Sequence, residues 1–433
     1  MSVASLIIPV LSLVAYGVLH ALFARNLRHL TPPRTEAEML QRRITTTRAL
    51  GVEGVTLLKA CAGADEDLEA CLSSYFALEH PKLQILLGVA DEHDPAAAII
   101  RHVIARHPHV DAKLVVVSRV SHASPKINTL AALEAHARYE LLWMSDSNTA
   151  VEPDALASML SRLDEPSIGA VVSVVASVGE ETLGAALDNL AVNVWVTFGA
   201  VATLRPRGGF AGAGKSILLR RSTLHRAGGW APMGRCFADD TVLLNNIAEL
   251  GMQVVAAPRV IRCPNATSTV SSFWRRHGRW SQIRLAIAPY SLAFEILCSP
   301  FVIALACLLV APSLAGLGLL ALCALAQMVG DSWITRGLRG EWIPLGFLPA
   351  TLLRPLVIGL LHLRSLFTRK TVWRGRVAFM GPRSLIVTQD RSWLAEDELA
   401  DEPSEPGYVF EDTLGPPVAA HATRASAPTP GND

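Results

Sequence analysis

Residues 139–148 read Tyr-Glu-Leu-Leu-Trp-Met-Ser-Asp-Ser-Asn, an apolar run that stops on an acid flanked by small polar residues. Such a run predicts a buried strand that emerges at the carboxyl edge of a sheet, where open α/β sheets bind ligands. Asp146 would then stand at the mouth of a cleft. A carboxylate there can hold Mg²⁺ or Mn²⁺ against a diphosphate, because these cations take oxygen ligands and keep positions open for phosphate. An ordinary strand-ending turn reads from the same three residues.

Outward from this strand, between residues 52 and 288, short apolar runs alternate with helical stretches. That alternation predicts βα units on a largely parallel sheet, an α/β domain. Strands are expected at 55–59, 83–89, 113–118, 141–144, 170–176, 216–219 and 253–257. Helices are expected just after Pro95 and Pro153, since proline suits the first turn. At the end of the second strand, Asp91-Glu92-His93-Asp94-Pro95 forms another acidic cluster, either a helix-starting turn or a second contributor to the cleft. Lys126, at the start of the helix opened by Ser124-Pro125, is positioned to meet an anion together with backbone N–H groups.

Two further segments carry chemistry. Residues 209–216 (GFAGAGKS) match the P-loop pattern letter for letter, yet the residues that follow, Ile217-Leu218-Leu219, read as a strand where a P-loop needs a helix. A glycine-rich cleft wall is the better reading. Asp239-Asp240 precede the helical TVLLNNIAELG and act either as helix-start acids or, if Asp240 faces the cleft, as a general base for a hydroxyl proton. In SFWRRHGRWSQIR (272–284), helical spacing puts Arg276, Arg279 and Trp280 on one face, two guanidinium forks beside an indole. That face suits a diphosphate, and equally the headgroup plane of a membrane.

The chain has 433 residues, of which 51% are hydrophobic and only 18% charged, too apolar for a soluble domain alone. Residues 5–23 lack a fixed charge and are long enough to span a ~30 Å hydrocarbon core. No Lys or Arg precedes them and the apolar run is long, which favours an anchor over a cleaved signal. Arg25, Arg28, Arg34, Arg42 and Arg43 follow, placing the next segment in the cytoplasm, with a bacterial inner membrane the expected site. Residues 294–312 and 314–330 read as two spans joined at Pro312-Ser313. The stretch 343–363, interrupted by Pro344, Pro349, Arg354 and Pro355, reads as re-entrant or interfacial. The expected division is an anchor and linker at 1–45, a catalytic domain at 46–287, a membrane region at 288–380 and a disordered acidic, Pro/Ala-rich tail at 381–433. Seven cysteines without a CxxC pair fit reduced thiols in the cytosol, and a net charge of +1 without a basic stripe offers nothing to nucleic acid.

With these residues in hand, the chain resembles the ceramide glucosyltransferases. The likeness runs from about residue 55 to 280 and is carried by LLGVADEHDP, SPKINTLAALEAHARYELLWMSDSN, the ADD at 238–240 and the RRHGRW at 275–280, in the family's order. It implies a GT-A fold, a Rossmann-like nucleotide-sugar-binding domain with membrane helices at both ends, and inverting transfer from a UDP-sugar to the primary hydroxyl of ceramide. The family's three aspartates fall on Asp91, near the uridine, Asp146, which holds the divalent metal, and Asp240, the base. Its (Q/R)xxRW element falls on Arg276, Arg279 and Trp280. Asn148 stands where the animal enzymes have glycine, and Asp239-Asp240-Thr241 replaces a Glu-Asp-Tyr run, so sugar and lipid stay open. A hopanoid-modifying branch shares the motifs. A P-loop ATPase and a non-catalytic scaffold are the readings from other classes.

Overall fold

The apolar runs pair into one sheet. The computed structural model describes residues 4–28, 30, 53–64, 67–117, 120–163, 165–204, 214–373 and 376–387. Its strands β1 (Val55–Ala60), β2 (Leu83–Val89), β3 (Asp111–Val116), β4 (Leu141–Ser145), β5 (Ile168–Val178), β6 (Ser216–Arg220) and β7 (Gln253–Pro264) lie in the order β3-β2-β1-β4-β6-β5-β7. Only β6 runs against its neighbours β4 and β5; the other pairings in this sheet are parallel. Side chains alternate between two apolar layers: Leu58, Leu86 and Leu142 enter one, Leu57, Ile85 and Trp143 the other. Burial on both faces is why these strands read as unbroken apolar runs. The α/β expectation with a parallel-dominated sheet is met.

Helix starts follow their local signals. Asp94 accepts the N–H of Ala96 at 2.9 Å ahead of Pro95, and Ser124 accepts that of Ile127 ahead of Pro125. In the acidic cluster after β2, Asp94 is therefore a cap.

The segment Leu183–Ala202 is apolar and long enough to cross a membrane, yet 83% of it is buried. It lies against β5 and closes an accounting gap there. β5 outruns β6, which pairs with it only over 170–172, and its next backbone groups turn to side chains. Asn193 accepts the N–H of Ser177 at 2.8 Å and donates to its carbonyl at 2.9 Å, while Thr197 donates to the Val175 carbonyl at 2.7 Å.

Among the described residues three other helices are long and apolar enough to cross: Ser5–Leu27, Leu314–Arg339 and Leu345–Phe367. The expected span at 294–312 is not one straight helix: it comprises Tyr290–Leu297 and Pro300–Val310, bent by 78°, a broken span or a re-entrant loop. The break falls where Pro300 opens a new helix. In the stretch expected to be broken by prolines, Pro344 and Pro349 stand ahead of the short turn Leu345–Phe347 and of the helix Ala350–Phe367, but Pro355 lies inside that helix without ending it. The Thr351 carbonyl that Pro355 leaves without an N–H accepts the Gln327 amide at 3.1 Å, which repairs the ladder.

The division at 380 is also corrected. Beyond Phe367 the chain forms an antiparallel sheet of β8 (Lys370–Trp373), β9 (Arg376–Met380) and β10 (Ile386–Val387). β10 lies within the stretch assigned to the tail, because its backbone finds partners on the α/β domain. The basic residues Arg34, Arg42 and Arg43, the glycine-rich residues 209–213 and the tail from 388 lie outside the described residues.

Candidate functional site

A cavity of about 890 Å³ opens at the carboxyl edge of the sheet. The ends of β1 and β4, the entry to β6, the first turn of helix Asp239–Glu249 and one face of helix Val270–Ile287 supply its walls. Asp146, Lys126, Asp240, Arg276, Arg279 and Trp280 all line it. The i, i+3, i+4 face read from the sequence is the face turned inward.

Asp146 is held by its backbone. Its N–H donates to the Lys215 carbonyl at 2.9 Å, and its own carbonyl accepts Lys59 Nζ at 2.6 Å and the Thr149 hydroxyl at 2.8 Å. Lys59 was not singled out from sequence. It lies next to the carboxyl end of the apolar strand β1, fully buried, with its ammonium 3.9 Å from the centre of the Tyr75 ring. Burial pulls its pKa down to about 8. Tyr75 completes the support: its hydroxyl lies 2.7 Å from Ser145 Oγ and 2.8 Å from Thr149 Oγ1. A lone Lys in the run VTLLKA was the available signal.

Lys126 is not an open anion receptor. Its ammonium bridges Asp146 at 3.1 Å and Asp239 at 2.9 Å. Burial opposes its charge, but Asp146, Asp239 and Asp240 together raise its pKa. Asp146 likewise resists burial and is drawn below the usual carboxylate range by Lys126 and Lys215. Asp239 moves the other way, raised by burial and by the adjacent Asp240 against the pull of Lys126. The neighbouring Asp240 is oriented by two amides: Oδ2 accepts the N–H of Gly214 at 2.6 Å and Oδ1 that of Thr241 at 2.8 Å. Gly214 has to be glycine for this approach, since a Cβ there would lie 2.1 Å from the Asp240 Cβ.

Lys215 leads into β6, not a helix, and its ammonium meets Asn148 Oδ1 at 3.3 Å and Cys263 Sγ at 3.0 Å. A P-loop needs a helix at this point, so the letter match is coincidental.

On the opposite wall, Arg276 donates to Asp188 at 2.5 Å and His277 pairs with the same carboxylate at 2.7 Å. Asn265 donates a third bond at 3.2 Å. Asp188 is 3% exposed, and despite burial Arg276 and His277 hold its carboxyl well below the usual range. Asp188 carries a single local signal, one acid inside the apolar stretch LGAALDNLA. Trp280 stands edge-on to the His277 ring, centroids 4.9 Å apart.

Asp91 stands apart. It is exposed at the end of β2, its Oδ1 accepts the N–H of His93 at 2.9 Å, and it does not line the cavity. Among the described residues no group of three His, Cys, Asp or Glu side chains forms a self-sufficient metal site. Asp146 still fits a divalent cation of the substrate-bridging kind: an oxygen donor, 29% exposed, on an open cavity where phosphate and water would complete the shell.

Comparison with known proteins places these features in a family. The profile of Glycosyl transferase family 21 matches residues 10–384. Ceramide glucosyltransferase 1 of Caenorhabditis elegans is 26% identical over 248 residues, 56% of this chain and 52% of that relative. The match thus spans about half of that protein's length. Ceramide glucosyltransferase 3 of the same organism is 24% identical over 75% of this chain and 72% of its own. The enzyme of Komagataella phaffii is 35% identical over 26% of this chain and 23% of its own. Among solved structures, the mannosyltransferase PcManGT of Pyrobaculum calidifontis, in complex with GDP-Man and Mn²⁺, is 18% identical with a TM-score of 0.42, covering 79% of this chain and 98% of its own.

Proposed function

Because the chain belongs to Glycosyl transferase family 21, we propose that it moves a sugar from a UDP-sugar to the primary hydroxyl of ceramide, with inversion. The observation that carries this reading is one cavity shared by an oriented carboxylate, Asp240, a second carboxylate, Asp146, and the Arg276, Arg279 and Trp280 face.

The diphosphate lies between Asp146 and the arginines. Asp146 would hold Mg²⁺ or Mn²⁺, and the cation would neutralise charge on the departing diphosphate. Arg276 and Arg279 supply fixed positive charge on the other side, aimed where charge develops on the departing diphosphate. Asp91, exposed one strand away from β1, is left to the uridine. The Asp240 carboxylate takes the acceptor's hydroxyl proton as that oxygen forms a bond to the anomeric carbon and the bond to the diphosphate breaks on the opposite face, giving a β-glycoside. Two backbone amides fix the Asp240 carboxylate, so little reorganisation accompanies the step.

The lipid side explains the architecture. Ile287, Ile358 and Val372 line the same cavity, and Ile358 belongs to the apolar helix Ala350–Phe367. Drawing acyl chains out of a bilayer costs ~0.8 kcal/mol per CH₂, so a cavity reaching the headgroup plane spares the enzyme that cost. Arg25, in the last turn of the first apolar helix, and Arg28, just past its end, favour a catalytic domain on the cytoplasmic side of the membrane.

The test is mass spectrometry of lipids after incubating the detergent-solubilised protein with ceramide, Mg²⁺ or Mn²⁺, and a panel of nucleotide sugars. A ceramide heavier by one hexose or hexuronic acid establishes the reaction and names the donor. Product on a hopanoid and none on ceramide would replace the acceptor.

A further inference from the structure

The sheet that follows the membrane helices reaches back to the catalytic carboxylates. Ser384 accepts the N–H of Phe237 on its carbonyl at 2.9 Å and that of Ala238 on its hydroxyl at 3.4 Å. The N–H of Ile386 donates to the Arg235 carbonyl at 2.8 Å, and Cys236 bridges Leu385. These bonds grip residues 235–238, the four that run directly into Asp239 and Asp240. At its other end the sheet is tied to helix Val270–Ile287, where the Gln282 amide donates to the carbonyls of Thr368 at 2.9 Å and Lys370 at 3.2 Å. Phe237, Ala378 and Met380 form a small core with Ile283, Ala286 and Ile386.

The backbone at the contact is strained. Arg383 and Ser384, neither of them glycine, sit in the left-handed region at φ 51° and 64°. Such residues persist only where their surroundings over-determine them, and Ser384 is fully buried with both its carbonyl and its hydroxyl engaged on residues 237–238. The strain therefore falls at the contact itself. Phe237, Ala238, Asp239 and Asp240 all line the cavity, and so does Val372 of the sheet.

We propose that residues 382–387 are a positioning strap: through Ser384 and Ile386 they set the register of the segment that delivers Asp240, so that turnover depends on a chain segment lying beyond the membrane helices. The proposal rests on the assignment of Asp240 as the base. A shift of about 1 Å at a reacting group costs on the order of 10²-fold in rate.

The experiment uses the full chain with Ile386→Pro, which deletes the N–H that donates to Arg235, Ser384→Val, which places a β-branched residue at a left-handed φ, and Ser384→Gly, which keeps that φ accessible. Expected is a kcat loss of roughly 10- to 100-fold in the first two with the nucleotide-sugar KM within about threefold, the pattern of a lost transition-state interaction. Ser384→Gly should keep kcat within about threefold, because the backbone contacts survive. In parallel, hydrogen exchange at the Phe237 and Ala238 amides should accelerate at least about tenfold in Ile386→Pro while the β4 amides keep their protection. Wild-type kcat in both disruptive variants, or unchanged exchange at residues 237–238, overturns the proposal. So does a parallel collapse of kcat, donor KM and melting temperature, which marks a support of the fold alone. The exchange arm needs no substrate, so a failure of Asp240→Asn to lose activity would sink the base assignment and leave the strap judged by its own readout.

Discussion

Replacing Asp188 by Asn tests the charge arrangement on the arginine wall. The substitution keeps the shape but removes the charge that Arg276 and His277 share. Breaking a buried ion pair by deleting one partner typically costs ~3–5 kcal/mol. Here the lower end applies, because the Arg276 side chain is 35% exposed and can regain water, whereas Asp188 itself is 3% exposed. About 3 kcal/mol, set against an unfolding entropy of ~2.1 cal/mol/K per residue in a chain of 433 residues, corresponds to a fall of roughly 3–4 °C in apparent melting temperature, measurable by tryptophan fluorescence in detergent. The pH dependence follows from the direction of the shift. The folded carboxyl titrates below its unfolded value, so the native state releases this proton first on the way up in pH. Its stabilisation is complete above the unfolded pKa near ~4 and is lost as pH falls through the lower folded value. The gap between wild type and variant should be flat from about pH 7 to pH 5 and narrow in more acid solution. In the transfer assay the loss of the Asp188 charge beside Arg276 should lower kcat toward the ~10²–10³-fold loss typical of a removed charge-stabilising donor. A variant within about 1 kcal/mol of wild type with undiminished kcat would refute this account of Asp188.

Asp240→Asn should lower kcat by ~10²–10⁴-fold while UDP binding, followed by calorimetry, stays within about threefold; retained turnover would dismiss Asp240 as the base. Gly214→Ala should mimic it, because the new Cβ collides with the Asp240 side chain and removes the fit of the Gly214 amide; the readout is kcat beside an unchanged circular dichroism spectrum. Lys59→Met should leave the melting temperature within a few degrees, since a buried ammonium is costly to keep charged, yet weaken donor binding by loosening the Asp146 turn. Equal donor KM in Lys59→Met and wild type would show that turn to be self-supporting.

How far the sequence reaches depends on the range of each interaction. The strands, the proline-led helix starts, Asp146 at the end of β4 and the common face of Arg276, Arg279 and Trp280 follow from neighbours a few residues apart, so periodicity and spacing expose them. The failure of the P-loop match was legible for the same reason, as Ile217-Leu218-Leu219 already read as a strand. Lys126 could be singled out, but not its partners, because a helix start shows nothing of the carboxylates opposite.

Local pattern could not supply contacts across long separations. Asp188 meets Arg276 from 88 residues away, Lys59 reaches the Asp146 carbonyl across 87, and Gln327 rescues the helix that Pro355 should interrupt. Leu183–Ala202 has the composition of a membrane span and is packed inside the protein, since β5 offers it backbone groups to satisfy. The sequence by itself determined the strands, the carboxylates and the arginine face, because these are encoded in short periods and single side-chain chemistries. Only the tertiary structure decided which charges neutralise one another, which apolar helix is buried and which distant strand grips the residues before Asp240, because burial and pairing exist only once remote segments have met.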